Sequence, residues 1–158
     1  MVKADYTLDN KSNISRGSTM TTPAILVSDY MKPVIVHFSP STSVEEVVKI
    51  LVKNKLVGAP VLDENKQLIG FITEKDCLKQ MINDSYYSQD HQVAQDIMRE
   101  KPLSVSPNAS IIELAEEMLG PRPKLYPVVD NNQVVGIITR ADVLKALSLA
   151  RIESHNIG

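Results

Sequence analysis

The sequence predicts an α+β fold: two repeated β-α-β-β-α units packed as a pseudo-two-fold pair. Three observations carry this. First, the chain repeats itself: DYMKPVIVHFSP from Asp29 is answered by DIMREKPLSVSP from Asp96, at an offset of 67 that holds through Pro40/Pro107, Ser43/Ser110, Glu46/Glu113 and Pro60/Pro127. Second, the offset drops to 66 at a polar turn, DENKQ against DNNQ, and then holds through Gly70/Gly136, Thr73/Thr139, Asp76/Asp142 and Leu78/Leu144. Ordered matches with one slip, placed in a turn, are the mark of a duplicated unit. Third, both copies alternate β-branched runs with segments of helical period. A unit of about 55 residues buries too little surface to be comfortable alone, so the two copies are expected to share a core.

The elements follow in order. Residues 1–24 are polar and aperiodic and read as a disordered tail. The run VIVHF at 34–38 predicts a strand, broken by Ser39-Pro40. Ser43 with Glu46, and Ser110 with Glu113, form the capping-box pattern of a helix start. Val44, Val47, Val48 and Leu51 then lie on one helical face, as do Ile111, Leu114, Ala115 and Met118. Strands at 59–62 and 68–73 flank DENKQ and read as a hairpin. A second helix starts near Asp76 and, in the other copy, near Asp142. This divides the chain into unit 1 at 25–88, unit 2 at 89–150 and a frayed tail at 151–158, with 83–95 as the connecting stretch.

Composition narrows the function classes. Seventeen basic residues against nineteen acidic give a net charge of −2, not the basic excess of a dedicated nucleic-acid binder. No apolar run approaches the ~20 residues of a membrane helix, and the N-terminus has no apolar signal region. The single cysteine, Cys77, cannot form an internal disulfide and sits on an apolar helix face, where it is expected to be buried and inert. The expectation is a cytoplasmic protein with no nucleic-acid or membrane partner. His37, His91 and His155 stand in no ligand spacing, so no metal site is expected. No nucleophile–base motif or phosphate-binding glycine loop is present, and the chain is not expected to be an enzyme.

Two constellations recur. Val57-Gly58-Ala59-Pro60 is matched by Lys124-Leu125-Tyr126-Pro127, and Gly70…Thr73-Glu74-Lys75-Asp76 by Gly136…Thr139-Arg140-Ala141-Asp142. A threonine at a strand-to-helix junction lies at a helix N-terminus, whose partial positive charge and unsatisfied N–H groups favour a phosphate. An aspartate three residues on can accept hydrogen bonds from both hydroxyls of a ribose. Gly58 leaves room for a flat base beside the backbone, and Val34, Val36 and Val57 offer apolar walls. The competing reading is purely structural: Thr-x-x-Asp is also a capping box, with threonine as N-cap.

Taken together, h-x-P-V-h-D followed by h-G-h-h-T-x-x-D, twice over residues 27–149, strongly resembles the cystathionine-β-synthase (CBS) domain family. The resemblance implies a regulatory pair that binds an adenine nucleotide or related ligand in clefts between the two units, requires no cofactor, has no catalysis of its own, and often forms a homodimer. It implies that Thr73 and Asp76 serve one nucleotide and Thr139 and Asp142 a second, with Leu103 joining the apolar wall. The two sites are not expected to be equal. Lys124, Leu125 and Tyr126 replace Val57, Gly58 and Ala59, while Glu74 stands where the second copy has Arg140. The base should fit better near Gly58 and the phosphate near Arg140, whose guanidinium is bidentate and permanently charged. The regulated protein is expected on a separate chain. The alternative is a ligand-free dimerisation module using apolar helix residues such as Leu144, Leu147 and Leu149, with Tyr86-Tyr87 at a contact or covering the hinge.

Overall fold

A computed structural model describes residues 24–87 and 91–156. The tail expected over 1–24 lies, except for Ala24, outside the described residues, as do the side chains of Tyr86 and Tyr87. In chain order the elements are α1 (Val27–Tyr30), α2 (Val44–Asn54), β1 (Gly58–Leu62), β2 (Leu68–Thr73), α3 (Glu74–Tyr87), α4 (Ala94–Ile97), β3 (Arg99–Glu100), α5 (Ile111–Met118), β4 (Leu125–Asp130), β5 (Gln133–Thr139) and α6 (Arg140–Asn156).

Local chemistry accounts for most boundaries. Ser43, in extended conformation, accepts the Glu46 N–H at 3.2 Å and starts α2, and Ser110 accepts the Glu113 N–H at 3.4 Å and starts α5. α2 ends where Lys55 turns left-handed, at φ 53°. β1 and β2 pair antiparallel from Gly58↔Thr73 to Leu62↔Leu68. Asp63 organises their loop, its Oδ1 accepting the Asn65 and Gln67 N–H groups at 2.8 and 2.9 Å. β4 and β5 are joined by Asn131 and Asn132, both left-handed at φ 49° and 64°, as a tight type I′ turn requires. The one-residue loss between the copies therefore falls between two hairpin loops of different design.

The chain forms two compact units, and neither is one contiguous copy. The unit of the first hairpin comprises Val34–Pro102 with Asn132–Val134. The unit of the second hairpin comprises the described residues up to Pro33, Leu103–Asn131 and the described residues from Val135 on. Relative to copies drawn at 25–88 and 89–150, the leading segments are exchanged. Backbone pairing explains the exchange. Lys32 and Ile137 trade N–H···O bonds of 2.8 Å in both directions, while at the equivalent repeat position Arg99 pairs with Phe71.

Each unit has its own core, and the two correspond position by position. Phe38, Val47, Leu51, Ala59, Val61, Ile72, Cys77 and Ala94 fill the first. At the matching positions of the second stand Val105, Leu114, Met118, Tyr126, Val128, Ile138, Val143 and Val27. Large and small residues trade places: Phe38 with Ala59 in one core, Val105 with Tyr126 in the other. Volume is thereby kept roughly constant, which close-packed interiors demand.

Three expectations are corrected. Residues 34–38 do not form a strand: Val34–His37 has no ladder partner, and only Phe38 bridges Val61, in parallel, as Val105 bridges Val128. The stretch 83–95 is not simply a connection, because α3 continues through Tyr87 and α4 begins at Ala94. Residues 151–156 continue α6 instead of fraying, since RIESHN contains no helix breaker; 157–158 lie outside the described residues.

Candidate functional site

Thr73 ends β2 immediately before α3, and Thr139 ends β5 immediately before α6. Asp76 Oδ2 accepts both the backbone N–H and the hydroxyl of Thr73, at 2.9 and 2.8 Å, while the Thr73 Oγ1 accepts the Asp76 N–H at 3.3 Å. The second junction repeats this: Asp142 Oδ2 takes the Thr139 N–H at 2.9 Å and its hydroxyl at 2.8 Å, and Thr139 Oγ1 takes the Asp142 N–H at 3.2 Å. The capping box is therefore fully formed in both copies. The next donors are also used, with the Glu74 N–H bonded to the Val57 carbonyl and the Arg140 N–H to the Lys124 carbonyl, each at 2.9 Å. The supply of free N–H groups expected for a phosphate is thus reduced, because the chain itself satisfies most of them.

The other carboxylate oxygens face cations. Asp142 Oδ1 lies 2.9 Å from the Lys32 ammonium, and Asp76 Oδ1 lies 3.6 Å from Arg99 Nε. The Asp142 side chain is 6% exposed and Asp76 is 17% exposed, so both are held in largely enclosed positions. Burial alone would raise the Asp142 pKa. The Thr139 N–H, the Lys32 ammonium and the Thr139 hydroxyl outweigh it and hold the carboxyl below its ordinary value. Lys32 and Arg99 occupy the same repeat position, directly after Met31 and Met98. Sequence reasoning passed over them. The signal was available, since both positions are cationic inside an otherwise diverging segment.

The remaining predicted residues divide by exposure. Val57, Lys124 and Arg140 are exposed, and Val34, Val36, Thr73, Leu103, Leu125 and Thr139 are half-buried. Gly58, Ala59, Pro60, Tyr126, Pro127 and Asp142 are buried. Ala59 and Tyr126 belong to the two cores, so their side chains face packed neighbours. Gly58 has a structural reason to be glycine: a Cβ there would stand 2.7 Å from both the Ile72 carbonyl oxygen and Phe71 Cε1. Gly70 and Gly136 make room for the Met98 and Met31 thioethers in the same way. Cys77 is buried, and burial, followed by the neighbouring Asp76 and Glu74 charges, pushes its thiol pKa up.

A cleft of about 350 Å³ in the unit of the first hairpin, walled by Ser43, Lys49, Met81, Asp84 and His91 among others, contains none of the predicted site residues. Among the described residues no group of three His, Cys, Asp or Glu is placed to hold a metal ion. No described helix is long and apolar enough to cross a membrane.

Comparison with known proteins places these junctions in context. The sequence model of one family, described as CBS domain, matches residues 27–83 and 93–149. An uncharacterized protein of Methanocaldococcus jannaschii is 28% identical, the match covering 89% of this chain and 98% of that protein. The chloroplastic CBS domain-containing protein CBSX2 of Arabidopsis thaliana is also 28% identical, over 82% of this chain and 66% of its own length. The crystal structure of CBSX2 in complex with AMP matches with a TM-score of 0.70 at 30% identity, covering 80% of this chain and 98% of that one. The CBS domain pair of protein MJ0100, in complex with 5-methylthioadenosine and S-adenosyl-L-methionine, matches with a TM-score of 0.68 at 27% identity, over 80% and 98% of the two chains.

Proposed function

This chain belongs to the CBS domain family, and from that premise we propose that it is a regulatory module which binds an adenosine-containing ligand at its Thr-x-x-Asp junctions and signals by a change of conformation. The observation that carries this reading is the duplicated cap: the same threonine, the same buried or half-buried aspartate and the same hydrogen-bond lengths at both strand-to-helix junctions. Ordinary helix capping needs no such repetition of the flanking h-x-P segments. The ligands in the CBSX2 and MJ0100 structures share one moiety, adenosine. In this reading each aspartate binds ribose hydroxyls; in the unit of the first hairpin the half-buried Val34 and Val36 and the exposed Val57 supply apolar surface to a base, and in the unit of the second hairpin the half-buried Leu103 supplies apolar surface and Arg140 meets a phosphate. Gly58, Ala59, Pro60, Tyr126 and Pro127 contribute mainly through their backbone, since they are buried. The module has no catalytic activity of its own and acts in the cytoplasm on a regulated protein partner.

A thermal-shift series with AMP, ADP, ATP, 5-methylthioadenosine and S-adenosylmethionine tests the proposal. A ligand at 100 times its Kd stabilises by about 2.7 kcal/mol, a shift of several degrees for a domain of this size. No response to any of them at millimolar concentration would sink the reading.

A second reading, compatible with the first, is homodimerisation. α3 exposes Leu78, Met81 and Ile82, and α6 exposes Leu144, Leu149 and Ile152, with Leu78 and Leu144 at the same repeat position and 63% and 69% exposed. Large apolar side chains grouped on exposed helices favour a protein contact over water.

A further inference from the structure

The two junctions, alike in their caps, differ in what their second carboxylate oxygen is doing. At both, Oδ2 is saturated by the threonine N–H and hydroxyl. A carboxylate oxygen has two lone pairs, so a ribose diol must find its acceptors on Oδ1. At Asp76, Arg99 Nε stands 3.6 Å from Oδ1, too far for a hydrogen bond, and both lone pairs are open. At Asp142, the Lys32 ammonium sits on Oδ1 at 2.9 Å, within charge-assisted hydrogen-bond range, and leaves one. The Lys32 side chain is 65% exposed, so its ammonium can leave into water, while its backbone stays tied to Ile137 by two bonds of 2.8 Å.

We infer that Lys32 is a specificity-determining residue that competes with the ligand for Asp142, so that the Asp76 junction fills first and the Asp142 junction fills only when its ion pair opens. The inference rests on the adenosine-binding reading above. Lys32 acts from the leading segment of the first sequence copy upon α6, the helix that follows the second hairpin, and the exchange of segments is what brings it there. At the ribose, the difference between the sites is thus set by a lysine in one leading segment and an arginine in the other, separately from the Glu74/Arg140 difference that bears on a phosphate.

Calorimetric titration with AMP, on the full chain and on Lys32→Met, separates the outcomes, with thermal melting without ligand to show that the variant is folded. The full chain is expected to titrate in two steps of unequal affinity. In Lys32→Met the weaker step should tighten by about 3- to 10-fold, the range for losing a competitor held by a partly exposed ion pair, while the tighter step stays within about twofold. Two equal steps in the full chain would overturn the inference. So would an unchanged or weakened weak step in Lys32→Met, or a gain confined to the tight step. If neither protein binds AMP nor any ligand of the thermal-shift series, the adenosine-binding reading itself fails. If both bind AMP and the variant does not differ, only the role of Lys32 fails.

Discussion

At the scale of single residues, Asp142 decides most. It is a helix cap, a buried ion-pair partner and the proposed ribose acceptor at once. Replacing it by alanine would strand the Thr139 N–H and leave Lys32 unpaired, so that change mixes loss of fold with loss of binding. Asp142→Asn is the cleaner probe, because the amide oxygen can still accept the Thr139 N–H while the charge is gone. The folded carboxyl titrates below its ordinary value, so in acid the unfolded chain binds more protons than the folded one. The stabilisation from this group is complete above the ordinary carboxylate pKa, about 3.9, and is lost as the pH falls through the depressed folded value. Asp142→Asn is therefore expected to lower stability at pH 7 by about 1–2 kcal/mol and to narrow the gap between pH 7 and pH 3. Urea unfolding at the two pH values checks this; an unchanged gap would show that the carboxylate charge contributes nothing.

At the scale of elements, the helix starts were the most legible part of the sequence. Ser43, Ser110, Thr73 and Thr139 each cap where their spacing to an acidic residue indicates, because a cap is a contact within four residues and needs no tertiary information. The hairpin strands were legible for the same local reason. The run at 34–38 was misleading: β-branched composition signals fitness for a sheet, but a strand exists only if a partner backbone lies alongside it, and only Phe38 finds one. The exposed faces of α3 and α6 make their own prediction. Leu78→Glu together with Leu144→Glu is expected to convert a dimer to a monomer in size-exclusion chromatography with light scattering, with the melting transition of the monomer retained. A wild-type chain that is already monomeric at micromolar concentration would count against the dimer.

At the scale of the molecule, the exchange of leading segments governs stability. Val27 lies in the core of the second-hairpin unit with no exposed surface, and Lys32 pairs with the strand of that hairpin. Deleting the chain through Pro33 is therefore expected to damage the second copy, which is remote in sequence, more than the first. Hydrogen exchange should show faster exchange of amides in β4, β5 and α5 than in β1, β2 and α2. Faster exchange confined to residues 34–87 would contradict the exchanged arrangement.

The sequence by itself determined the duplication, the four helix starts, both hairpins and the two Thr-x-x-Asp junctions. Each of these depends on neighbours along the chain or on comparison of the chain with itself. Only the tertiary structure decided three other things. It assigned each leading segment to the opposite hairpin, because backbone pairing between distant strands leaves no local pattern. It placed Tyr126 in a core, where Tyr126 beside Val105 answers Ala59 beside Phe38, although Tyr126 lies in one of the recurring segments taken as candidates for binding. It set Lys32 on Asp142 at 2.9 Å while Arg99 stops 3.6 Å short of Asp76, a difference in reach that residue types alone do not encode.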